Sequence, residues 1–230
     1  VKKVLLLSSV LLITSCATSR GINRDNLKQQ LDAKTSIADS EINQAQSAKA
    51  KLPKPFKVAI YFQEPTKAEV ERIDWSWSVE DKERIQKAVD KFKSNGAISN
   101  SFILHTTSNT DVKSLRQVAM KQGADTLLVI SAINDLDKYN TQLGWTYAFV
   151  LPALFVPATV SDIVFISRAV MWDVRYDFSY LTAESESMIN RKYPAVFRTD
   201  KKQNLEAKEE SIKGLQEELV KRLNNLTQKR

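Results

Sequence analysis

Apolar and polar positions along this chain fall into blocks whose period changes several times. "FKVAIYF" at 56 to 62 is an unbroken apolar run of β-forming residues and predicts a buried strand. A loop carrying Trp75 and Trp77, both suited to be packing anchors, leads to Ser78. Ser78 is placed to cap "VEDKERIQKAVDKFKS", where Ile85, Ala88, Val89 and Phe92 recur at helical spacing and Asn95-Gly96 marks the stop. "SFILHTT" at 101 to 107 predicts a second strand. Asp111 or Thr110 caps a second helix, "VKSLRQVAMKQ", with Val112, Leu115, Val118 and Ala119 inward and Gly123 at its end. "DTLLVISAIND" at 125 to 135 predicts a third strand. A strand, helix, strand, helix, strand order implies parallel neighbours joined by right-handed crossovers.

The pattern changes after Asp137. No residue from Tyr139 to Ser161 carries a formal charge, and "GWTYAFVLPALFVP" is the most apolar stretch beyond the amino end. "SDIVFISRAVMWDV" predicts a strand with Val164, Ile166, Val170, Trp172 and Val174 on one face, and "RYDFSYLTAESES" a turn and a more polar returning strand. The last block predicts a long helix, 204 to 226, with Leu205, Ile212, Leu215, Leu219, Leu223 and Leu226 on one stripe. The expected fold is α/β: a two-layer or three-layer sandwich over residues 56 to 230, its mixed sheet parallel at the start and antiparallel at the end.

The amino end reads as an address. Lys2 and Lys3 precede an apolar run from Val4 to Ile13, and Thr14 and Ser15 are small residues before Cys16, the chain's one cysteine. That is the layout of a signal peptide, residues 1 to 15, too short to remain as a spanning helix. "ITSC" at 13 to 16 resembles the bacterial lipobox, which implies that Cys16 becomes the first mature residue and carries acyl chains, anchoring the protein to a membrane. Under the sorting rule of such lipoproteins, Ala17 points to the outer membrane, with the domain facing the periplasm. Residues 16 to 55 are polar and nearly free of aromatics, and read as a lipidated tether, partly helical or disordered. Fully extended, such a tether reaches on the order of 100 Å.

Composition narrows the chemistry. Of 34 Lys and Arg, Lys2 and Lys3 leave with the signal peptide, so 32 remain against 27 Asp and Glu, a formal charge of +5. That balance is too even for a nucleic-acid footprint. Five glycines and no glycine-rich motif argue against a phosphate cradle. His105 is the only histidine, so no His-based metal site can be completed, and an acylated Cys16 leaves no thiol for catalysis. No cofactor, metal or enzymatic activity is expected.

"KLPKPFKVAIYF", "GADTLLVISAIND" followed by "GWTYAFVLPALFVPATVSD", and "AVMWDVRYDFSYLTAESES" together resemble the rhombotarget lipoprotein family over roughly residues 52 to 190. The order of elements more distantly resembles the curli secretion lipoprotein and the lipoprotein activator of penicillin-binding proteins. The glycine expected in the turn near Arg175 to Asp177 is absent. The resemblance implies a noncatalytic scaffold or assembly module of an envelope secretion or surface-assembly system, working as a homo-oligomer or within an envelope complex. A tethered activator of a periplasmic cell-wall enzyme is the alternative. Contact with a partner or membrane falls to Trp145, Phe149, Leu151, Leu154 and Phe155 in the apolar segment 143 to 160. That segment fits a buried hairpin, an exposed one that meets lipid or a subunit, or a spanning piece; Pro152 and Pro157 suit the last poorly.

Overall fold

The computed structural model describes residues 18–35, 52–66, 69, 75–106, 111–144, 154–194 and 200–228. Five strands, β1 (Phe56–Phe62), β2 (Ile98–Ile103), β3 (Thr126–Asn140), β4 (Thr159–Asp173) and β5 (Ser179–Tyr193), form one sheet in the order β2-β1-β3-β4-β5. β1 pairs in parallel with β2 and β3, while β3, β4 and β5 form an antiparallel meander. Among the described residues four α-helices cover it: α1 (Arg24–Thr35), α2 (Val79–Asp90), α3 (Val112–Lys121) and α4 (Asp200–Gln228).

The pleat sorts the side chains into two cores, which makes this a three-layer sandwich. On one face Val58, Ile60, Leu128, Ile130, Phe165 and Met171 pack with Ile85 and Val89 of α2 and with Ile212, Leu215, Leu219 and Leu223 of α4. Trp75 and Trp77 close this core, their rings 5.2 Å apart and edge to face, as their sequence context predicts. On the other face Leu127 and Val129 pack with Leu115 and Ala119 of α3, and Ile133, Val164 and Ile166 with Leu27 and Leu31 of α1. The two crossover helices lie on opposite faces because the connection runs outward to β2 and then back past β1 to β3, each time right-handed.

Local rules set the element boundaries. Ser78 and Asp81 form a reciprocal capping box at the start of α2, and the Asp111 carboxylate accepts from Ser114 N at 2.6 Å to start α3. Gly96 and Gly123 take φ of +71° and +79° at the turns after α2 and α3. At the β4–β5 turn the Asp173 carboxylate accepts the backbone N–H of Arg175 at 2.7 Å and of Tyr176 at 2.9 Å, doing by hydrogen bonding what the absent glycine does by conformational freedom.

Four expectations are revised. Residues 24–35 are not a free tether: α1 lies on the sheet with Leu27 and Leu31 buried, Arg24 and Lys28 paired to Glu186 and Glu184 at 2.7 and 3.1 Å, and Asp32 paired to the buried Arg168. Strand β2 ends at Ile103, which leaves His105 exposed beyond it rather than inside a strand. Strand β3 continues past Asp135 to Asn140, because β4 pairs with it throughout. Helix α4 starts at Asp200 and runs to Gln228, and Leu205 is exposed: the buried face passes from Asn204 through Lys208, Ser211, Leu215 and Leu219 to Leu223, one residue aside from it.

Candidate functional site

The meander outruns the parallel half of the sheet. β1 ends opposite Ile130, so beyond that point no strand among the described residues lies beside the edge of β3 from Ser131 to Asn140, and its backbone and carboxylates need other partners. The amino-terminal segment supplies them. Ser19 Oγ donates to Asp137 Oδ2, the Gly21 N–H donates to the same oxygen at 3.0 Å, and the Arg20 N–H donates to Asp137 Oδ1 at 3.3 Å. The Arg20 guanidinium donates to Asp135 at 2.5 Å and to the Leu136 carbonyl at 2.7 Å. Burial pushes the Asp137 carboxyl up, but donation from Ser19, Arg20 N and Gly21 N, with the Arg20 charge, outweighs it and holds the group below its ordinary value.

From this clamp the chain turns into α1, which starts with Asn23 accepting from Asn26 N at 2.9 Å. α1 runs back along the sheet: its middle rests on Ile133, Val164 and Ile166, and near its end Lys34 Nζ donates to Glu69 at 2.5 Å and to the Ala132 carbonyl at 3.4 Å. Burial raises the Glu69 carboxyl, yet hydrogen bonds from Lys34 and Thr66 leave it lowered on balance. The direction of α1 therefore opposes that of β3, and its amino-terminal side lies toward the end where Asn140 pairs with Thr159.

That end has a tied base and an apolar rim. Thr141 N donates to the Ala158 carbonyl at 2.7 Å, Thr159 Oγ1 to Asn140 Oδ1 at 3.1 Å, and Ala158 and Val160 are buried. Lys138 bridges to Asp200 at 3.1 Å, and Tyr193 donates to the other Asp200 oxygen at 2.8 Å, which joins the start of α4 to the same end. Beyond this base Leu143, Leu154 and Phe155 are 52%, 37% and 77% exposed. Of the residues the sequence nominated for contact, Leu154 and Phe155 thus stand on the surface at this end; Trp145, Phe149 and Leu151, and Cys16 with the signal peptide, lie outside the described residues.

The buried carboxylates elsewhere are saturated by structural donors. Asp81 accepts Lys208 Nζ at 2.6 Å and Ser78 N at 2.9 Å, and Asp173 accepts Tyr180 Oη at 2.5 Å besides the turn amides. Among the described residues no three His, Cys, Asp or Glu side chains stand together as metal ligands, and no helix is long and apolar enough to cross a membrane. The sequence pattern did not point to the clamp, because Asp135 and Asp137 read as the close of the third strand and not as acceptors for the amino-terminal segment.

No family model matches this chain, and no curated protein matches it. Solved structures are similar to it in part. A PelC dodecamer from Paraburkholderia phytofirmans is 10% identical, with 80% of this chain and 96% of that one covered and a TM-score of 0.34. A minor lipoprotein from Acinetobacter baumannii is 10% identical over 74% of this chain and 93% of its own, with a TM-score of 0.35. A lipoprotein from Neisseria meningitidis is 8% identical over 69% of this chain and 99% of its own, with a TM-score of 0.30. At these scores they are neighbours in broad architecture, and no role is transferred from them.

Proposed function

We propose that this chain is a noncatalytic lipoprotein of the bacterial outer membrane, anchored through acyl chains on Cys16, that serves as a scaffold or assembly module of an envelope secretion or surface-assembly system. The observation that carries the reading is the clamp at Asp137. It holds Ser19, Arg20 and Gly21 to the sheet only three residues after the lipobox-like "ITSC". An acyl anchor in that position would be joined to a rigid domain and not to a loose leader.

The docked α1 also weighs against the tethered activator. With residues 18–35 on the sheet, the chain between Cys16 and the clamp reaches no more than about 10 Å, where an activator working at a distance would need the whole tether. Residues 36–51, whose arrangement lies outside the described residues, come after α1 and add nothing to that reach. A noncatalytic role is supported by the exposed position of His105 and by the saturation of Glu69, Asp81 and Asp137 with structural donors. The resemblance of roughly residues 52 to 190 to the rhombotarget lipoprotein family is in keeping with this reading.

The test is the mass of the protein extracted from membranes, compared with a Cys16→Ala variant, followed by light scattering of the detergent-solubilised protein. The expected result is an amino-terminal peptide beginning at Cys16 with acyl additions, absent from the variant, and a defined oligomer or complex. An unmodified Cys16 would remove the anchor, and a strict monomer without partners would remove the assembly role.

A further inference from the structure

We infer that the outer edge of β5 is a docking surface for a second copy of this chain, which adds its own β5 antiparallel about Met188 and so continues the sheet across the junction. This rests on the assembly reading and deepens it by naming the surface and the partner; it does not depend on acylation of Cys16. Three observations converge on it.

The first is an open edge. β5 closes one side of the sheet, and among the described residues no strand lies beyond it. Its two faces are braced. On one, Ser187 Oγ donates to Glu210 of α4 at 2.8 Å and Arg191 to Glu206 at 2.6 Å; on the other, Arg24 and Lys28 of α1 reach Glu186 and Glu184. The outer backbone of such a strand is a template for another, and natural sheets keep their edges short, whereas β5 has 15 residues. β2, at the other edge, offers six residues and no charged side chain.

The second is charge. On the α1 face of β5 Thr182, Glu184, Glu186, Met188, Asn190 and Lys192 follow one another, acidic in the first half and basic at the end. Two such strands side by side in parallel register set like charges opposite each other, whereas antiparallel strands set unlike charges opposite. With a twofold axis at Met188, Glu184 faces Lys192 of the second copy and Glu186 faces Asn190, each twice by symmetry. Glu184 already accepts from Arg168 and Lys28, and its carboxylate has lone pairs for a further donor. On the α4 face Ser185 comes opposite Arg191, and Ser187 opposite Ile189. The ladder so formed runs from Ala183 to Tyr193, about 36 Å at the rise of an extended strand.

The third is Met188 itself. It is 48% exposed in the middle of the edge strand, among polar and charged neighbours. The Arg24 guanidinium lies 3.1 Å from its sulfur and is paired with Glu186 at 2.7 Å, so the charge brought to the axis is matched within each copy. At the axis Met188 packs on Met188 of the second copy and leaves water, a contact its flexible thioether suits. Moving the axis by one residue sets Met188 opposite Glu186 or Asn190 instead and parts Glu184 from Lys192.

The experiment uses the full chain extracted from membranes in mild detergent. Met188→Cys places a thiol on the axis, and Thr182→Cys places one about 40 Å from its symmetry mate as the control. Both positions are exposed, so neither substitution disturbs the core. The parent, whose one cysteine is Cys16, reports any bridge that does not involve β5. Each protein is oxidised with copper phenanthroline and separated without reductant, and the mass of the parent is measured by light scattering. The expected result is a covalent dimer from Met188→Cys that Thr182→Cys and the parent do not form. Adding Lys192→Glu should cut its yield about tenfold, whereas adding Lys192→Arg should leave it unchanged. An oligomeric parent with no bridge at 188 overturns the inference and leaves assembly to another surface. A monomeric parent overturns both. Equal bridging at 182 and 188 overturns the inference, since the copies would then meet only by collision. A bridge at 188 that survives Lys192→Glu overturns it too, because charge would not be what aligns the strands.

Discussion

Whether α1 is part of the folded unit is decided by one buried leucine. Leu31 has no exposed surface and, with Leu27, packs on Ile133, Val164 and Ile166. Leu31→Ala removes the larger share of that contact, since the helix has no other fully buried apolar side chain. Core Leu→Ala changes cost about 2 to 5 kcal/mol, and a helix on the outer layer can settle partly into the space, so a value near 3 kcal/mol is expected. The surface pairs from Arg24 and Lys28 to β5 contribute little each and cannot compensate. Because tenfold corresponds to about 1.4 kcal/mol, the open population of α1 should rise on the order of 100-fold. The assay is hydrogen–deuterium exchange resolved by mass spectrometry, comparing a peptide covering 24–35 with one inside α4. Exchange should accelerate in the first and stay unchanged in the second. If 24–35 of the parent protein already exchanges at the rate of an open chain, α1 is not docked and the short-anchor reasoning fails. If both peptides accelerate together, α1 opens only with the whole domain and is not a separable layer.

Asp137→Asn should loosen the clamp by about 1.5 to 3 kcal/mol, the worth of hydrogen bonds to a charged acceptor, and raise trypsin cleavage after Arg20 roughly tenfold or more at neutral pH. The Asp137 carboxyl is held below its ordinary 3.8, so its contribution is complete above that pH and is lost as pH falls through the lower folded value. Amide exchange at Arg20 and Gly21, followed by NMR, should therefore show the parent protein losing protection only below about pH 3.8, whereas the variant lacks it throughout. Gly214→Val should destabilise the fold by about 2 kcal/mol in urea unfolding: a side chain there would overlap Ser185 Oγ and stand 3.2 Å from Ser185 Cβ, which outweighs the helix propensity gained. An unchanged midpoint would mean that α4 can lift from β5 at little cost.

Residues whose neighbours are local were legible in the sequence. Ser78 with Asp81, Asp111 with Ser114, and the apolar stripe of α2 all act within a few residues, and each element is where its pattern placed it. Strand β4 was readable because it is apolar on both faces, so Val164 and Ile166 serve one core and Ile163 and Phe165 the other. What escaped reading depends on partners far away in the chain. Asp135, Asp137 and Lys138 looked like the end of a strand, but Ser19, Arg20 and Asp200 satisfy their charge and the ladder continues. The buried face of α4 begins with Asn204, Lys208 and Ser211, whose partners Asn134, Asp81 and Ser167 are supplied by other elements, so an apolar stripe alone pointed to Leu205 instead. α1 offered only Leu27 and Leu31 as inward residues, too sparse a pattern to set it apart from a polar leader.

The unequal strand lengths have a mechanical side. β1 stops at Phe62 opposite Ile130, whereas β3 continues for ten residues to Asn140, a span of about 33 Å at the rise of an extended strand. A three-stranded ribbon braced by α1 and α4 neither stretches nor coils as a polar leader would. It works as a strut of set length: whatever holds the hairpin end keeps the surfaces around α2, α3 and β2 at a constant stand-off, and a change of distance to a partner there would have to come from tilting the whole domain.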